Sequence, residues 1–123
     1  MAKIFMSNPS KVDLSVYKGD SGSFRITIIP DGVDPVNITD AVWDGDIRLE
    51  ASDEEVITSF EIVPVIGDPT SIDVVLSAEK SKTLPPSCVY DIEMRMSEEV
   101  STLIYGTIIV KQDVSRPAAV VGP

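Results

Sequence analysis

Val89-Tyr90-Asp91-Ile92-Glu93-Met94-Arg95-Met96 puts Tyr90, Ile92, Met94 and Met96 on one side of an extended chain and Asp91, Glu93 and Arg95 on the other. A period of two is the mark of a strand with one face in a core and one face in water. Residues 103–110 read as the partner strand, and the polar Ser97-Glu98-Glu99-Val100-Ser101 between them predicts a closing hairpin.

The same alternation recurs towards the N-terminus in short segments bounded by Gly, Pro, Asp and Ser. Residues 12–17 place Val12, Leu14 and Val16 on one face and end at the turn Lys18-Gly19-Asp20. Residues 24–29 place Phe24, Ile26 and Ile28 inward and close at Pro30-Asp31-Gly32, so both segments are expected to serve one core. Residues 33–40 are irregular around Pro35, with Ile38 as a core plug. Residues 41–50 form a strand with Trp43, Ile47 and Leu49 on one face; Trp43 is its central core residue, and Gly45 marks a bulge or a close backbone approach. Residues 56–65 form a strand that Pro64 confines to an edge or a bent end, and Ile66-Gly67-Asp68-Pro69 is the next turn. After a strand at 72–76, Ser77 caps one helical turn that Pro85-Pro86 stops. Gly19 and Gly22 are read as turn glycines.

About seven strands joined by turn signals, with at most one short helical turn, predict an all-β fold, an antiparallel immunoglobulin-like β-sandwich. The segment Leu84-Pro85-Pro86-Ser87-Cys88-Val89-Tyr90 has the form of a tyrosine corner, in which the Tyr hydroxyl bonds back to the preceding crossover. The expected organisation is an N-terminal arm at 1–10, the sandwich at 11–115 and a C-terminal tail at 116–123. A chain of 123 residues suits one such domain.

Charge and chemistry narrow the function. Ten basic against twenty acidic side chains give a net charge of -10, which repels nucleic acid, and the basic residues form no stripe. Nothing in the sequence reads as a signal-peptide core or a membrane span, so neither a nucleic acid nor a membrane is expected as a partner. The chain has no histidine, which removes the commonest general base and metal ligand. Cys88 is the only cysteine; it can form no intrachain disulfide and reads as a buried or inert thiol. Asp40, Asp44 and Asp46 around Trp43, and Asp31 and Asp34 around Gly32, lack the spacing of a calcium loop and read as solvated faces. Asn37-Ile38-Thr39 spells a glycosylation acceptor by chance. No residue is assigned a catalytic, cofactor-binding or metal-binding role, and no enzyme is expected.

Several short stretches in order complete the picture: Tyr17-Lys18-Gly19-Asp20, then 35–41, then Leu76-Ser77-Ala78 ahead of Leu84, Tyr90-Asp91-Ile92, 106–110, and Asp113-Val114-Ser115-Arg116. Together they resemble the small β-sandwich virion proteins of tailed bacteriophages, similar to the N-terminal attachment domains of baseplate and receptor-binding proteins. That family's usual ending is Asp-Val-Thr-Arg, and Ser115 stands here in place of the Thr. The resemblance implies a structural component of the virion, synthesised in the host cytoplasm. Its expected role is an accessory tail, baseplate or fibre-attachment protein that contacts other virion proteins and forms a homo-oligomer in the particle. A capsid cement protein is the alternative. A carbohydrate-binding module is a further one, with Trp43, Tyr17 and Tyr105 as stacking faces.

Overall fold

A computed structural model of the chain describes residues 9–28 and 37–112. Among these residues, ten strand segments make two sheets. The larger contains β1 (Ser10–Lys11), β2 (Leu14–Tyr17), β4 (Val42–Asp44), β5 (Asp46–Arg48), β6 (Thr58–Ser59), β9 (Ser87–Met96) and β10 (Glu99–Lys111). The smaller has β3 (Gly22–Thr27), β8 (Ser71–Leu76) and β7 (Glu61–Pro64), in that order. The one helix among the described residues is α1 (Ala78–Ser81). Two expected strands each appear as two segments, 41–50 as β4/β5 and 56–65 as β6/β7, and the expected strand 12–17 appears as β2 with β1 ahead of it, so the described residues form the expected all-β, immunoglobulin-like sandwich.

Each interruption has a local cause. Between β1 and β2 the register with β10 is kept, from Lys11 opposite Tyr105 to Leu14 opposite Ile108. At Val12 the carbonyl leaves the ladder and accepts from the Tyr90 hydroxyl at 2.7 Å, while Asp13 Oδ1 takes the Thr107 N–H at 3.0 Å. Between β4 and β5 the register with β9 is also kept, with Asp44 opposite Glu93 and Ile47 opposite Tyr90, so Gly45 makes no bulge. It is instead a close approach: a Cβ there would stand 3.1 Å from Ile92 Cδ1 and 3.2 Å from Ile62 Cδ1. Between β6 and β7 the chain changes sheets at Phe60, whose N–H donates to the Gly45 carbonyl at 2.8 Å. β7 is an edge strand, as Pro64 requires.

The structure corrects several expectations. The sandwich is not wholly antiparallel, because β1 and β2 run parallel to β10. The Tyr17–Asp20 turn carries the chain from the larger sheet to the smaller, and alternation says nothing about strand direction. Tyr90 is not a tyrosine corner, since its hydroxyl reaches the first strand and not the crossover before it. Trp43 is half-buried and packs against the core beside Met94; the fully buried positions include Ile47, Ile92 and Met94, each 0% exposed. Leu49 is exposed because β5 ends one residue earlier. Gly22 opens β3 instead of lying in a turn. Gly19 does turn, with φ 93°, and its N–H donates to the buried Ser81 Oγ at 2.9 Å. The hairpin loop is tighter than expected: Met96 pairs with Glu99 across Ser97-Glu98, and Ser97 takes the left-handed φ of 57°. Ser10, assigned to the arm, opens β1. Residues 1–8, 29–36 and 113–123, with Asp31, Asp34, Pro35, Ser115 and the tail at 116–123, lie outside the described residues.

Other expectations hold. Ile38 is buried, its N–H bonded to the Pro69 carbonyl at 2.9 Å. Ser77 Oγ accepts from Lys80 N at 3.2 Å and caps α1. Lys80 Nζ then reaches the Ser59 carbonyl at 2.8 Å and ties the helix to the sheet-switching strand. Inward side chains of both sheets form one core with Ile26, Ile72, Val74, Leu84, Cys88 and Ile108, each contributing about 1.5–3 kcal/mol on full burial for its larger aliphatic members.

Candidate functional site

Because side chains alternate across a strand, the residues that skip the core are gathered on the outer face of the larger sheet. Register fixes their neighbours. Val42, Arg95 and Val100 form one outward row; Asp44, Glu93 and Thr102 form the next. Asp91 and Tyr105 follow, with Lys11 beside Tyr105, and then Val89 with Arg48 on one side and Thr107 on the other. Asp46, between Asp44 and Arg48 in outward alternation, completes a block of four carboxylates with Asp44, Asp91 and Glu93. This face is a shallow depression of about 960 Å³, lined by these four carboxylates together with Arg48, Arg95 and Tyr105 among others.

The two arginines bracket the block. Arg95 Nε lies 3.2 Å from Asp44 Oδ2 and Arg48 Nη2 3.2 Å from Asp46 Oδ2. Arg48 is braced by the Asp53 carbonyl at 3.1 Å, and Asp46 accepts a further bond from Ser59 Oγ at 3.1 Å. Asp91 and Glu93 have no such ion pair among the described residues. Partial burial, and then the neighbouring carboxylates Asp46 for Asp91 and Asp91 for Glu93, push both carboxyls above their ordinary range. Elsewhere the opposite holds: Asp73, bonded to Arg25 at 2.7 Å, and Asp68, accepting from Thr70 and Ser71, are held below the usual range.

These directions fix a pH dependence. A carboxyl raised on folding penalises the native state once pH exceeds its unfolded value, here 3.8 for Asp91, and the penalty is complete above the raised value. Asp91→Asn is therefore expected to stabilise the protein at neutral pH by up to about 1 kcal/mol, the scale of a like-charge cross-strand pair. Thermal melts of both proteins from pH 7 downwards check this: the gain shrinks through the carboxylate range, and a gain independent of pH contradicts the repulsion.

The structure separates the remaining candidates. Tyr17 and Tyr105 are both exposed on the outer face, but Tyr105 lies six steps along β10 from Lys111, the partner of Tyr17, a distance of about 20 Å. Lys111 Nζ lies 5.9 Å from the centre of the Tyr17 ring. Trp43 packs against the core on the other side of the sheet, so the three aromatic residues form no common stacking platform. Asp44 and Asp46 share the outer face, whereas Asp40 sits in the turn before β4 and does not line it. No group of carboxylates and cysteine among the described residues is placed to hold a metal ion.

Cys88 is buried, and burial pushes its thiol up to about 11. At pH 8 it is expected to resist iodoacetamide in the folded protein and to react in denaturant. Rapid modification without unfolding, read by mass spectrometry, contradicts that.

Alternation showed that Asp91, Glu93 and Arg95 point away from the core. It did not show them facing Asp44, Asp46 and Arg48, because that depends on which strands become neighbours. Two segments each repeating acidic and basic residues at spacing two, Asp44-x-Asp46-x-Arg48 and Asp91-x-Glu93-x-Arg95, were the available signal.

No family model matches the chain, and no curated protein matches it. Among solved structures, one titled as the structure of the BTLA ectodomain is similar, with a TM-score of 0.47 and 12% identity, over 85% of this chain and 93% of that one. No helix among the described residues is long and apolar enough to cross a membrane.

Proposed function

We propose that this chain is a non-catalytic assembly module, a structural component of a tailed-phage particle that works through protein–protein contacts at an accessory tail, baseplate or fibre-attachment position. The observation that supports an assembly role is that five of the eight exposed large apolar side chains among the described residues share one sheet face. Tyr17, Val42, Val100, Tyr105 and Ile109 all lie on the outer face of the larger sheet. Together they mark this face as the one a partner would cover.

The assignment to a phage particle rests on the sequence resemblance. Its described motifs occupy fold-determining positions: the left-handed turn at Gly19, the helix cap at Ser77, and the strand β10 from Gly106 to Val110. Quantitative mass spectrometry of purified virions tests the proposal. A copy number on the scale of the tail supports it, a copy number on the scale of the shell turns it into a capsid cement protein, and absence from the particle overturns it.

A further inference from the structure

We infer that the outer face of the larger sheet docks a partner protein through a pair of lysine or arginine side chains with apolar neighbours. This rests on the reading of the chain as a protein-binding module and adds the chemistry of the partner.

Two features of the face select that occupant. Asp44 opposes Glu93, and Asp46 lies in the row of Asp91, so two carboxylate pairs occupy adjacent outward rows. Arg95 and Arg48 each bond one member of a pair, which leaves Asp91 and Glu93 facing solvent beside other carboxylates. Like charges directly across a sheet cost up to about 1 kcal/mol a pair. A cation brought by a partner relieves that repulsion, so the complex recovers stability that the isolated sheet forgoes. Around the block, Val42 and Val100 flank Arg95 on one side, and Tyr105 and Ile109 extend along β10 on the other. Lys11, Arg48, Thr102 and Thr107 lie among these side chains, so the border of the block is mixed and offers a partner both apolar and polar contacts.

Charge also selects against other occupants. A second copy related by a two-fold axis sets this carboxylate block against its own image, between chains of net charge -10. Nucleic acid is repelled by the same block. The two rows lie about 7 Å apart along the strands, a spacing met by side chains two apart on a strand or four apart on a helix.

The test uses the full chain and a synthetic helical peptide with two lysines four residues apart among leucines and alanines, alongside its twin with glutamates in place of the lysines. NMR titration is expected to shift Val42, Glu93, Arg95, Val100, Thr102 and Tyr105. The double variant Asp91→Asn, Glu93→Gln is expected to bind the lysine peptide about tenfold more weakly. Glu61→Gln on the smaller sheet leaves binding unchanged. Equal binding by the double variant, equal binding of the glutamate twin, or shifts spread over the other sheet overturns the inference. So does self-association in sedimentation that Tyr105→Ser abolishes, which identifies a second copy as the occupant. Failure here with the chain present in virions removes the docking chemistry alone; a chain missing from virions that still shows the peptide pattern removes only the phage assignment.

Discussion

Alanine at position 106 lowers the stability of the domain by roughly 2–4 kcal/mol, a larger effect than any outward-facing substitution considered above. Gly106 is opposite Tyr90 on β9, and on its other side β10 meets the first strand. An added Cβ would overlap the Val12 carbonyl oxygen and stand 2.7 Å from its carbon. Neither atom is the end of a flexible side chain, so the first strand must move away from β10. Movement breaks the Tyr90 hydroxyl bond to Val12, the Val12 N–H bond to the Tyr105 carbonyl and the Asp13 bond to Thr107. Tyr90 then loses the partner of a hydroxyl whose ionisation burial already pushes up to about 12. Urea unfolding of the Gly106→Ala variant measures the loss. Gly22→Ala is the control, because a Cβ there meets nothing within 4 Å, and it is expected to be neutral or slightly stabilising. Equal midpoints for the two variants contradict the tight contact at Gly106.

That contact marks the limit of what the sequence made legible. Alternation was enough for the inward sets, since Phe24, Ile26 and Ile28, and Tyr90, Ile92 and Met94, all pack in the core as read. Turn chemistry located Gly19, Gly67 and the Ser77 cap, because each depends on a few neighbouring atoms. Pairing between distant strands was not legible. The parallel placement of the first strand, the true partner of Tyr90 and the interior rank of Met94 over Trp43 depend on contacts between residues far apart in the chain. The acidic face failed to appear for the same reason: Asp44 and Glu93 are 49 positions apart and become neighbours only through the register of β4 on β9.

Phe60→Ala is expected to cost about 3–5 kcal/mol, the range for removing a buried aromatic ring. Phe60 stands where the chain leaves the larger sheet for the smaller, between β6 and β7. Its ring meets Phe24 of the smaller sheet edge-on at 6.3 Å and Tyr90 of the larger sheet edge-on at 5.5 Å. Such pairs contribute beyond their buried area, and here they join opposite layers of the sandwich. Its backbone N–H also holds the Gly45 carbonyl at the gap between β4 and β5, so the residue fixes the turn-over of one strand and the approach of another. Phe60→Leu keeps much of the apolar volume and loses the ring contacts, and is expected to cost markedly less than alanine. Chemical denaturation of both variants separates the two contributions. If alanine and leucine are equally mild, Phe60 is not the strut between the sheets, and the layers are held by their aliphatic faces alone.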